Sequence, residues 1–170
     1  MEEPLKPTSD GALEFDEKIP TSAKVAYGFA NAGNGLLSGL GLGAINLFYL
    51  KATAIEPSMM AISWIVFAVW NAINDPLLGI LEDKTKSKLG RRIPYLRYGS
   101  IFYVLAFIMI WFPFTDKPTM LFWNHLLMLF VFDTLYSMIG LITYSLPAEM
   151  ALTAKERGSI ILYATFIGAI

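Results

Sequence analysis

Cysteine is absent from this chain, and histidine occurs once, as His125. The first absence excludes disulfides, thiolate metal sites and cysteine nucleophiles. With a single histidine there is no Ser/His/Asp or Cys/His arrangement and no metal-ligand spacing. No glycine-rich loop precedes a helix with a phosphate-binding lysine. The sequence is therefore not expected to be an enzyme, to carry catalytic residues or to hold a metal. Charge is also scarce. Asp, Glu, Lys and Arg make up 16% of the residues, against about 25% in soluble domains. The net charge of -1 argues against a nucleic-acid partner.

What is present is apolar. Hydrophobic residues reach 55% and aromatic residues 14%, with a mean hydropathy of +0.53. The few charges are confined to short segments, which is the pattern of a polytopic membrane protein. A spanning helix needs about 20 mostly apolar residues. Four segments qualify, at Val25 to Leu50, Met59 to Leu81, Tyr95 to Phe114 and Thr119 to Leu146. A fifth apolar segment starts near Ser159 and runs to Ile170 without a polar flank. The expected organisation is an acidic, cytoplasmic tail over residues 1–22 and a transmembrane region over residues 23–170 that breaks off within helix 5. The tail has no apolar core and no cleavage pattern, so the first spanning helix is expected to act as the insertion signal.

Basic residues orient the spans. Of the 13 Lys and Arg, only Lys51 and Lys117 fall in the first and third connections. The others lie in the tail, the second connection and the fourth. That asymmetry places the N-terminus and the second connection in the cytoplasm. Trp111 and Trp123 flank the third connection as interfacial anchors.

Within the spans, polar residues stand out because burial in lipid is costly. A charged side chain at the bilayer centre costs about 2.5–3.5 kcal/mol on insertion scales, so Asp75 is read as functional. Asn71 and Asn74 share its side of helix 2 at i, i+3, i+4. Asn31 and Asn34 lie one turn apart on helix 1 and are candidates for a cavity wall, with interhelical hydrogen bonding the structural alternative. Gly35, Gly39 and Gly43 form a small-residue stripe suited to close helix packing. His125, lacking a second histidine or a carboxylate partner, reads as interfacial.

The run Asn71 to Tyr95 carries a motif. It holds Asn71-Ala72-Ile73-Asn74-Asp75-Pro76, then Gly79 and Asp83-Lys84-Thr85-Lys86-Ser87, then Gly90-Arg91-Arg92 and Pro94-Tyr95. This run resembles the helix 2–3 region of the major facilitator superfamily. More closely, it resembles the glycoside–pentoside–hexuronide:cation symporters, the melibiose permease group. Ala26-Tyr27-Gly28-Phe29, Gly33-Asn34-Gly35, Asp133-Thr134-Leu135-Tyr136, Tyr144-Ser145-Leu146 with Glu149, and Glu156-Arg157 are similar to that group as well. The resemblance covers Lys24 to Ile170. It implies an all-α polytopic fold of twelve helices in two halves, of which this chain is most of the first. It also implies a cation-coupled symporter of a sugar or sugar-like solute, working by alternating access in a plasma membrane.

By that resemblance, Asp75, Asn71 and Asn74 are expected to bind the coupling cation, and Asn31, Asn34, Asp133 and Tyr144 to line the substrate cavity. Gly79, Asp83, Lys84, Lys86, Gly90, Arg91 and Arg92 form a cytoplasmic gate, with Glu149 and Arg157 on its other side. The expected partners are a small-molecule solute, the lipid bilayer and the transporter's remaining helices.

The chain also departs from the family. The first of two helix 2 carboxylates is Asn71 here, and a further carboxylate late on helix 4 aligns with Gly140. A lone carboxylate is a weak sodium site, since hard cations favour several oxygen ligands and charge. Proton coupling through Asp75 is the expectation, with no other cofactor. One alternative is a lipid or lysolipid carrier of the same fold. Another is a non-transporting assembly partner, if the chain ends at Ile170. A natural end should show a polar closing segment, and Leu162 to Ile170 has none.

Overall fold

The computed structural model describes residues 17–169, together with the backbone of a two-residue antiparallel pair, β1 (Lys6–Pro7) and β2 (Leu13–Glu14). The rest of the acidic tail expected over residues 1–22 lies outside the described residues. Five helices follow. They are α1 (Thr21–Ala52), α2 (Pro57–Lys84), α3 (Ser100–Ile110), α4 (Pro118–Met150) and α5 (Ala154–Gly168). A π-helical stretch, Tyr95–Gly99, leads into α3. The fold is a partial all-α membrane protein, as the sequence implies.

α1, α2 and α4 extend beyond their apolar segments because polar residues at their ends can also be helical. By length and composition, α1, α2 and α4 can cross a bilayer, while the third apolar segment forms the shorter helix Tyr95–Ile110. That segment was expected to reach Phe114. Helical structure instead ends at Ile110, three residues before Pro113, and the chain turns from Trp111. By contrast, α2 passes through Pro76 and α4 through Pro147. Proline is tolerated in spanning helices where neighbours satisfy the freed backbone groups.

The chain divides into two compact units. One holds the described residues up to Gly33 together with those from Thr143 onward. The other is Asn34–Ile142. The larger unit packs Ile45, Tyr49, Phe67, Tyr103, Ile110, Leu129 and Phe132 in one core. Lipid is as apolar as leucine, so shape complementarity and polar contacts must hold such helices together. Aromatic pairs supply much of that fit. Trp70 stacks on Phe130 at 4.9 Å, and Phe48 meets Trp111 edge-on at 5.2 Å. Each such pair contributes about 0.5–1.5 kcal/mol beyond its burial.

Close approach occurs at glycines other than those expected. A Cβ on Gly41 would run into the Phe132 ring, and one on Gly99 into the Met138 methyl. In the smaller unit, a Cβ on Gly28 would sit 2.5 Å from Ile167 Cδ1. The stripe of Gly35, Gly39 and Gly43 has nothing within 4 Å among the described residues. Spacing alone showed that a smooth stripe exists, but not what packs on it.

The α2–α3 connection is a tight basic loop. Gly90 has φ +92°, a left-handed conformation that favours glycine. Its N–H donates to Ser87 O at 3.1 Å. The Thr85 hydroxyl donates to Leu81 O at 2.8 Å and accepts from the Tyr95 hydroxyl at 2.5 Å. This ties the end of α2 to the start of the π-helical stretch.

Candidate functional site

In the larger unit, α2 and α4 bring a polar cluster into an apolar bundle. Asn74 is 3% exposed and Asp133 is 3% exposed. The Asn74 amide donates to Asp133 Oδ2 at 3.3 Å, and the Thr134 hydroxyl donates to Asn74 Oδ1 at 3.3 Å. The amide is thus held with its NH2 toward the carboxylate. Asp75 lies within electrostatic reach of Asp133 but is itself exposed on α2. Asn71 is exposed as well. Successive helical residues turn by about 100°. The three polar residues of helix 2 therefore span an arc. Asn74 faces α4 at one edge, and Asn71 and Asp75 stay open at the other.

The cavity residues fall in different places. Asn34 is half-buried, its Oδ1 has no hydrogen-bond partner among the described residues, and its Nδ2 lies 3.9 Å from where a Gly140 Cβ would be. Asn34 makes no hydrogen bond to Asp133. Asn31 and Tyr144 belong to the smaller unit, where Asn31 is half-buried and Tyr144 is 82% exposed.

Among the gate residues, Asp83 faces Arg91 at 3.7 Å and Arg92 at 3.8 Å. Asp83, Lys84, Thr85, Lys86, Ser87, Gly90 and Arg91 line an open pocket of about 500 Å³. Gly79 has open space at its Cβ position. In the smaller unit, Glu149 is exposed. Arg157 turns back on its own connection, donating from Nε to Ala151 O at 2.8 Å and from Nη2 to Leu152 O at 3.2 Å.

Sequence reasoning passed over two features. His125, read as interfacial, is wholly buried. Its Nδ1 lies 2.6 Å from the Ser63 hydroxyl, and its ring meets Tyr49 edge-on at 4.7 Å. The apolar pattern around it was the available signal, since Leu121, Leu129 and Phe132 share its side of α4. The second feature is Glu156 on α5. It is 7% exposed and pairs with Lys24 at 2.7 Å. No spacing rule joins residues so distant in sequence.

A family model described as "MFS/sugar transport protein" matches residues 25–170. The chain belongs to this major facilitator family. Several of its relatives bear symporter names. An "Uncharacterized symporter sll1374" of Synechocystis is 29% identical over 148 residues, covering 83% of this chain and 27% of that protein. The "Putative glycoside/cation symporter YagG" of Escherichia coli is 24% identical over 150 residues, covering 86% and 32%. "Sodium-dependent lysophosphatidylcholine symporter 1" of Gallus gallus is 25% identical over 152 residues, covering 88% and 28%. The chain thus spans roughly a quarter to a third of these relatives' length. Membership in the MFS/sugar transport family makes this an integral membrane protein of a transporter family, and the glycoside–cation resemblance of the helix 2 motif agrees with it.

Proposed function

We propose that this chain is part of a secondary active symporter, coupling a cation gradient to uptake of a sugar or sugar-like solute by alternating access. The observation that carries this reading is the Asn74–Asp133–Thr134 cluster with Asp75 beside it. Carboxylates at this depth cost several kcal/mol and face functional cavities by default. Asp75 and Asn71, open on α2, are positioned to meet ion and solute. The basic loop and the positive-inside pattern support an N-terminus on the cytoplasmic side of a cell membrane. On this reading Asp83 with Arg91 and Arg92 serves as a cytoplasmic latch, and Glu149 and Arg157 of the smaller unit have a gate role as well.

Proton coupling through Asp75 remains the proposed ion choice. One proton crossing 100 mV contributes about 2.3 kcal/mol, enough for roughly fifty-fold accumulation. The second carboxylate, Asp133, makes sodium the competing ion, because two carboxylates and amide oxygens suit a hard cation. A lysolipid as substrate is the second reading. It is favoured by the similar identity to relatives named for lysophosphatidylcholine.

The test is uptake by the full-length protein in liposomes, with a panel of sugars and lysophosphatidylcholine, under separate proton and sodium gradients. Sugar accumulation driven by the pH gradient supports the proposal. Lysolipid transfer selects the second reading. No movement of any solute favours a non-transporting assembly partner.

A further inference from the structure

The residues just before α1 are fastened to the start of α5 by contacts that none of the roles above uses. The Glu17 carboxylate accepts from the Leu152 N–H at 2.9 Å, the Thr153 N–H at 2.8 Å and the Thr153 hydroxyl at 3.0 Å. Thr153 is the N-cap of α5, and its hydroxyl oxygen accepts from the Glu156 N–H. In return, the Ile19 N–H donates to Glu156 Oε2 at 2.9 Å. The Ile19 side chain packs on the cluster of Tyr27, Ala151, Ile160 and Ala164. Lys24, in the first turn of α1, pairs with the same Glu156 oxygen and donates to the Ser159 hydroxyl at 2.9 Å.

A helix N-terminus leaves N–H groups without partners and favours negative charge. Here the turn into α5 is met by a carboxylate far away in sequence. The strap gives α5 a carboxylate and receives one from it. This reciprocal arrangement needs both segments in place, unlike a cap drawn from the helix's own residues.

We infer that Glu17 is a tethered carboxylate ligand of the α5 N-terminus, and that this clasp is a releasable fastener governing how the start of α5 moves with the start of α1 during transport. The role in transport rests on the alternating-access reading; the clasp itself does not. The Glu17 bonds to Leu152 lie at an exposed edge, whereas Glu156 and Lys24 are buried, so the Glu17 side of the clasp can part first. Farther along α5, Ile167 packs so closely on Gly28 that a Cβ there would meet it. The strap therefore controls the start of α5, and the Gly28–Ile167 contact, near the other end of α5, acts as the pivot.

The experiment uses the full-length protein with any cysteine outside this segment replaced, since this segment has none. A single Ile19→Cys reports release of the strap through its alkylation rate by a soluble maleimide. Glu17→Ala should speed alkylation about fivefold or more, the lower range of a site-to-site coupling, and Glu17→Gln should fall between it and the parent. Net uptake should change in Glu17→Ala while half-saturation for solute exchange stays put. An unchanged alkylation rate overturns the clasp. Faster alkylation with unchanged net uptake overturns its role in transport. If the parent protein moves no solute, the transport reading fails, and the alkylation ratio still decides whether Glu17 holds the strap.

Discussion

Asp75 was legible because a carboxylate in an apolar run is conspicuous. Its buried neighbour Asp133 was legible only through resemblance, and the amide bridge through Asn74 was not legible at all. Hydrogen bonding between α2 and α4 depends on helix rotation, which a periodic pattern fixes only coarsely. Glycine illustrates the same limit. The stripe of Gly35, Gly39 and Gly43 is open among the described residues, while Gly41 takes the Phe132 ring. Gly41→Ala should therefore destabilise by about 1–3 kcal/mol through overpacking. Gly39→Ala should be neutral or slightly stabilising in this segment. Thermal unfolding of the two variants in detergent checks the contrast. Gly140 offers a functional test at the same scale. Its Cβ position is free apart from Asn34 at 3.9 Å, so Gly140→Asp should fold and add a third carboxylate, near the Asn34 amide, to Asp75 and Asp133. If ion choice follows carboxylate number, uptake by the full-length variant should gain dependence on sodium. Uptake with unchanged ion dependence would count against that logic.

At the scale of elements, helices were readable from apolar length, and their ends were not. Only a shortened α3 was hidden, because apolar residues continue past the point where Pro113 stops the helix. The turn between α4 and α5 was expected, but what holds it was hidden for a different reason. Its stability comes from Glu17 and Glu156, each meeting a partner far away in sequence. The N–H groups of Leu152 and Thr153 hold the Glu17 carboxyl below its ordinary value of 4.5. The Lys24 ammonium and the Ile19 N–H do the same for Glu156. A carboxyl whose folded value is lowered stabilises the fold fully above its unfolded value, and that contribution is lost as pH falls through the folded value. The strap should therefore hold from neutral pH down to about 4.5 and loosen below it. Amide-exchange protection of Leu152 and Thr153, corrected for intrinsic rates, is expected to be flat above that pH and to fall beneath it. Loss of protection already near pH 6 would assign the restraint to some other group.

At the scale of the molecule, α4 is the most enclosed helix, with 61% of its most apolar stretch buried, against 17% for α1 and α2. The exposed faces of α1 and α2 carry the Gly35–Gly43 stripe, Asn71 and Asp75. In the proposed transporter these faces meet the second half of the protein and the solute. On that reading Asn71 and Asp75 are open in this segment, while Asn74 and Asp133 are already paired. The measurement that bears most directly on this account is solute accumulation by the full-length protein in liposomes under an imposed cation gradient, compared between the parent and Asp75→Asn. The account predicts gradient-driven accumulation in the parent and its loss in Asp75→Asn, with exchange at equal solute concentrations retained. Undiminished accumulation in Asp75→Asn would contradict it.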